Sequence, residues 1–218
     1  MIISPATDSQ LTRYIGAERR ELAGVLSSLP APSWDSGTLC AGWRVRDLVA
    51  HLTMPLRYST ARFLAELARS GGRFNAMADR CARRDAAAPA AELLSALLDN
   101  ADNPWTPPGG GLVGALTHDV IHGLDAVVPL GIGRRVPPER LRIVLESVTG
   151  PAALRHFGTD LSGIELRADD LDWSFGSGQL LAGQAQDLAL VACGRKLPAG
   201  LLRGEQAARF TAARFTAA

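Results

Sequence analysis

The sequence predicts a mainly α-helical protein with a small α+β part at its C-terminal end. Three observations carry that prediction. Apolar residues recur three and four apart through most of the chain as far as about Phe157. From Gly163 the apolar period changes from 3.6 to 2, as it does where helices give way to strands. Pro- and Gly-rich clusters at residues 30–37 and 103–111 separate the helical runs. At 218 residues the chain suits one large domain, or a main domain with a smaller one. The expected division is 1–135, a helical bundle, and 136–218, a connecting helix and a small α/β unit.

In order, Leu11 to Leu29 forms the first helix, with Leu11, Ile15, Leu22 and Leu26 on one broad stripe. Val45 to Leu67 reads as a second helix, kinked one turn after His51 by Pro55, which removes a backbone donor and crowds the preceding turn. Shorter helices follow at Phe74 to Arg83 and Ala90 to Leu98. Leu112 to Val128 is strongly apolar at helical spacing and ends at Pro129 and Gly131. Glu139 to Phe157 reads as one further helix. Ile164 to Ala168 and Leu171 to Phe175 alternate about the turn Asp169-Asp170 and predict a hairpin, with a short strand at Leu180 to Ala182. Gln184 to Cys193 returns to helical spacing, with Gly194 as its C-cap and Arg195-Lys196 at its negative end.

Composition narrows the partners. With 23 basic and 22 acidic residues, a net charge of +1 and no basic run, the chain lacks the footprint of a nucleic-acid or anionic-membrane binder. No stretch reaches 18 uninterrupted apolar residues, and Met1-Ile-Ile-Ser-Pro-Ala-Thr-Asp8 has neither the basic start nor the apolar run of a signal peptide. Cys40, Cys81 and Cys193, an odd number at wide spacing, suit reduced thiols, so a cytoplasmic location is expected.

Four histidines carry the functional signal. His118 and His122 stand four apart within one helix, so their imidazoles share a face one turn apart and suit one metal ion. His51 lies among Leu48, Val49 and Leu52, where an unpaired imidazole is costly to bury. Facing His118 and His122 across a bundle would satisfy all three. It would also leave coordination positions open, as catalytic rather than structural zinc sites do. Asp47, Asp119 and Asp125, each within a turn of a histidine, are candidates to orient ring nitrogens; capping or solvent exposure is their alternative role. His156, after Arg155 at a helix end, reads as a cation on the helix dipole.

Three stretches resemble the mycothiol-dependent maleylpyruvate isomerases, of the wider DinB-like metal-binding group. They are Cys40-Ala-Gly-Trp-Arg-Val-Arg-Asp-Leu-Val-Ala-His-Leu52, His118-Asp-Val-Ile-His-Gly-Leu-Asp125 with the residues to Gly131, and Ala168-Asp-Asp-Leu-Asp-Trp-Ser-Phe-Gly-Ser-Gly178 followed by Cys193-Gly-Arg195. The resemblance implies a DinB-like four-helix bundle bearing a divalent metal, zinc, on His51, His118 and His122, with a small C-terminal α/β domain near its mouth. It implies Arg195 as that domain's contribution to catalysis, holding a substrate carboxylate; helix capping is the alternative. Many relatives carry an arginine where this chain has Val128, and some a glutamate where it has His118, so its site is neutral and more Lewis acidic.

The co-substrate so implied is mycothiol, a low-molecular-weight thiol of actinobacteria. The single lysine, Lys196, against 22 arginines is compatible with such a host. The metal would make the thiol a thiolate, which adds to an electrophilic small molecule. If it stays, the outcome is S-transfer; if it leaves after rotation about a cis double bond, the outcome is isomerisation. A metal-binding sensor without turnover and a metal-dependent hydrolase are the alternatives. Residues 104–111 and the hairpin near Trp173 are expected to shape the substrate pocket, and the sequence carries no sign of oligomeric state.

Overall fold

The computed structural model describes residues 6–212. Part of the N-terminal stretch read above for a signal, residues 1–5, lies outside them. The helices are α1 (Asp8–Ser27), α2 (Val45–Arg57), α3 (Thr60–Arg69), α4 (Phe74–Asp85), α5 (Ala90–Asp99), α6 (Gly111–Val127), α7 (Pro138–Val148), α8 (Pro151–Phe157) and α9 (Ala185–Ala192). The strands are β1 (Ile164–Ala168), β2 (Ser174–Gly176), β3 (Gln179–Gly183) and β4 (Leu202–Arg203). No helix among the described residues is long and apolar enough to cross a membrane.

Four helices make the bundle: α1 packs on α5 and α6, and α2 packs on the same two. α1 begins with a capping box, in which the Thr7 hydroxyl accepts the Gln10 backbone N–H and the Gln10 side chain accepts that of Thr7. Its buried stripe includes Leu11, Ile15, Leu22 and Leu26, as the apolar spacing predicts. α4 covers the outer side of α2, and α3 lies on α4.

The run predicted as one kinked helix is two helices. α2 continues through Pro55 and stops at Arg57, Tyr58 is extended, and the Ser59 side chain caps α3 by accepting the Arg62 N–H. The apolar period continues across this break and hides it. Likewise the helix predicted over Glu139 to Phe157 divides, because Gly150 is extended and Pro151 starts α8 at a position that needs no N–H donor.

The C-terminal strands form one sheet in the order β2-β1-β3-β4. β1 pairs antiparallel with β2 as the predicted hairpin, though β2 starts only at Ser174, and it pairs parallel with β3. β4, antiparallel to β3, carried no signal at two residues' length. Gly178 enters β3 at φ 127°, and a Cβ there would stand 2.1 Å from the Gly163 carbonyl oxygen, so only glycine fits that turn. One apolar cluster joins Leu116 and Leu124 of α6, Val144 and Leu145 of α7, Leu166 of β1 and Leu188 of α9, and so crosses the 135/136 division.

Beneath α7, charge is buried. Glu18 of α1, fully buried, is paired with Arg134 and with Arg140, which also reaches Glu21 at 2.6 Å.

Candidate metal centre

The packing of α2 on α6 brings His51, His118 and His122 together. One ring nitrogen from each lies within 4.8 Å of the others. His51 Nε2 is 3.2 Å from His118 Nε2, and the His122 ring lies edge-on to both, centroids 5.0 and 4.8 Å away.

Two of the three rings are held from behind by carboxylates. His118 Nδ1 is 3.0 Å from Asp119 Oδ1, and His122 Nδ1 is 3.0 Å from Asp125 Oδ2. A carboxylate on Nδ1 fixes the tautomer with Nδ1 protonated and leaves the Nε2 lone pair for a cation. Burial, and then the charges of the neighbouring histidines, push His51 well below its ordinary pKa; burial also lowers His122 against the pull of Asp125. Both shifts favour the neutral imidazole that a metal ligand must be.

Each carboxylate is in turn held by an arginine. Arg19 of α1 donates through Nε to Asp119 at 2.7 Å, while its Nη1 donates to the carbonyls of Asn100, Ala101 and Asn103. Arg195 donates through Nε and Nη2 to the two oxygens of Asp125, at 3.0 and 2.8 Å. Burial alone would raise Asp125, yet Arg195 and His122 hold it well below the usual carboxylate range. Local structure aims Arg195 there. Gly194, at φ 75°, donates to the Val191 carbonyl and Arg195 N–H to that of Leu190, a Schellman turn that folds the chain back from α9. The predicted C-cap is thus what positions the arginine.

Asp47 does not join this arrangement. Its carboxylate accepts from the backbone N–H of Arg44 at 2.8 Å and from the Arg44 side chain at the start of α2, its alternative capping role. His51 Nδ1 is buried without a partner.

Three residues at the site carried no functional assignment in the sequence. Cys40 Sγ lies 3.2 Å from Asp125 Oδ2 and 3.8 Å from His122 Nδ1, because the Leu39 N–H bonds the Asp125 carbonyl and docks this segment on α6. Burial, then the Asp125 charge, pushes the thiol far up, so it stays protonated. Trp43 lies 5.0 Å from His51 and Trp105 5.6 Å from His118, ring centre to ring centre. Trp43 stood within the first of the three quoted stretches and Trp105 in the loop at 103–111, which was the available signal.

The histidines line a cavity of about 760 Å³. Trp105 to Pro108 contribute to its wall, as expected, but the hairpin near Trp173 does not. Trp173 instead stacks on Phe175, planes 9° apart, and packs on the apolar core. His156, expected only as a helix-end cation, lines the cavity from the exposed end of α8.

The donor set fits a divalent ion. Two imidazole nitrogens sharing one ion at about 2.0–2.1 Å with tetrahedral angles stand about 3.3 Å apart, and the His51 and His118 Nε2 atoms stand at 3.2 Å.

Residues 15–103 match the family model described as mycothiol maleylpyruvate isomerase N-terminal domain, a segment that contains His51 but ends before α6. No curated protein matches the sequence. The crystal structure of a mycothiol-dependent maleylpyruvate isomerase superposes with a TM-score of 0.63 at 13% identity, covering 93% of this chain and 94% of that one. A histidine-to-alanine mutant of a mycothiol-dependent maleylpyruvate isomerase superposes at 0.54, with the same identity and coverage. Residues 15–103 are thus similar to the mycothiol maleylpyruvate isomerase N-terminal domain, and the backbone has the fold of a mycothiol-dependent maleylpyruvate isomerase along nearly its whole length.

Proposed function

We propose that the chain is a mycothiol-dependent metal enzyme of the isomerase or S-transferase type. His51, His118 and His122 hold one divalent ion, zinc being well suited to three neutral imidazoles. The observation that carries this reading is the convergence of the three rings, two with their Nδ1 atoms held by buried carboxylates, at the wall of one cavity.

A divalent ion at this site supplies Lewis acidity that makes a thiol of free pKa about 8.5 reactive as thiolate at neutral pH. The chain does the rest. Asp119 and Asp125 keep the Nε2 lone pairs free, Arg19 and Arg195 hold the two aspartates in place, and Arg195 also favours the ionised form of Asp125. Arg195 acts here as a positioning residue, since Asp125 engages its guanidinium. Trp43 and Trp105 narrow the space around the rings and limit the water that reaches them. Cys40, held protonated, leaves the role of nucleophile to the thiol co-substrate.

The test is metal content together with thiol turnover. Purified protein should hold about one equivalent of metal, His122→Ala should lose it, and metal-loaded protein should consume mycothiol with an electrophile only without chelator. Full metal retention in His122→Ala, or turnover that ignores the chelator, would sink the reading.

A further inference from the structure

Beyond the three rings, the cavity wall is apolar and almost free of charge. From His51 it follows α2 through Met54 and Pro55 to Tyr58, about 10 Å along the helix at 1.5 Å per residue. It then crosses to Phe63 of α3 and Phe74 of α4, whose rings are 6.4 Å apart. The Tyr58 hydroxyl donates to Asp85 at 2.7 Å. The remaining polar lining groups, such as Thr60, Asn75, Thr117 and Ser147, are uncharged, and His156 stands at the rim.

Only one lysine or arginine side chain, Arg195, lines this cavity among the described residues, and no aspartate or glutamate does. The Arg195 charge is matched by Asp125 through two bonds, and its Nη1 donates to the Cys193 carbonyl. Away from the three rings, a carboxylate would lose its water along an apolar wall and meet no unmatched lysine or arginine side chain. An apolar body would gain in proportion to the surface it buries there.

Resting on the thiol-transfer reading above, we infer that the electrophile is an uncharged, largely apolar molecule, an aryl- or alkyl-substituted activated alkene, rather than a small dicarboxylate. Its reactive carbon lies toward the histidines and its apolar body along Met54, Phe63 and Phe74. In the addition a bond forms between the thiol sulfur and the β-carbon. The alkene π-electrons shift toward the carbonyl, the α-carbon takes up the thiol's proton, and nothing is oxidised or reduced.

The experiment compares two probes with the same electrophilic group, 4-phenyl-3-buten-2-one and its para-carboxylate, on metal-loaded protein with mycothiol. Rates are corrected for the uncatalysed reaction, and binding without thiol is measured by calorimetry. The uncharged probe should show at least tenfold higher kcat/KM and bind at least tenfold tighter. Phe74, 46% exposed and tolerant of replacement, should narrow both ratios several-fold as Phe74→Arg. Equal or better use of the carboxylate, or ratios unchanged by Phe74→Arg, overturns the inference. Should neither probe react while the uncharged one still binds tenfold tighter, the thiol-transfer reading fails and the ligand class stands; should neither bind, the ligand class fails.

Discussion

Asp125 of α6 and Arg195, three residues beyond the end of α9, form a two-bonded ion pair, Nε to Oδ1 at 3.0 Å and Nη2 to Oδ2 at 2.8 Å. The same Oδ2 stands 3.0 Å from His122 Nδ1. The C-terminal part of the chain therefore reaches the histidines through a carboxylate rather than by contact with them. Asp125→Asn keeps the shape but removes the charge that holds Nδ1–H. Metal affinity should fall about 10- to 100-fold, read by competition with a chromogenic chelator. Unchanged affinity would show that the carboxylate does not tune the ligand.

Arg19 plays the matching part for His118. It is 1% exposed and joins Asp119 to three carbonyls of the loop after α5. Arg19→Met should leave Asp119 buried and unmatched and lower stability by about 3–5 kcal/mol in urea denaturation. With Asp119→Asn already present, the same change should do much less harm. Simple additivity of the two effects would exclude the coupling.

Glu18 binds two arginines from beyond α6. Its replacement by alanine leaves Arg134 and Arg140, both buried, without that carboxylate. A loss of about 3–5 kcal/mol is expected, with the metal equivalent retained at temperatures below unfolding. A change under 1 kcal/mol would show that the arginines find other partners.

Asp187, in the first turn of α9, is 3% exposed, and burial together with nearby Asp170 pushes its pKa up to about 6. The folded form thus holds its proton more tightly than the unfolded chain, where an aspartate titrates near 3.9. That stabilising contribution is complete below about pH 4 and is lost as the pH rises through 6. Asp187→Asn should match the parent at pH 4 and exceed it by about 2–3 kcal/mol above pH 6.5, seen as a Tm difference that grows across this window. A difference independent of pH would contradict the assignment.

What the sequence determined by itself is what local periodicity encodes. His118 and His122 share a helix face because 3.6 residues make a turn, and the strands of the C-terminal part declare themselves by a period of two. The C-cap at Gly194 was equally legible, since a left-handed backbone there needs glycine. The breaks at Tyr58 and Gly150 were written in the sequence too, as Ser59 before Thr60 and as Gly150-Pro151, but a continuing apolar stripe outweighed them. Tertiary structure alone decided which polar groups meet. Asp47 and Asp125 each lie within about one turn of a histidine in sequence, yet one caps α2 through Arg44 and the other bridges His122 and Arg195. Arg19 finds Asp119 at a separation of 100 residues, and Cys40 finds Asp125 at 85. A buried charge takes whichever partner helix packing brings within about 3 Å, and spacing along the chain carries no record of that choice.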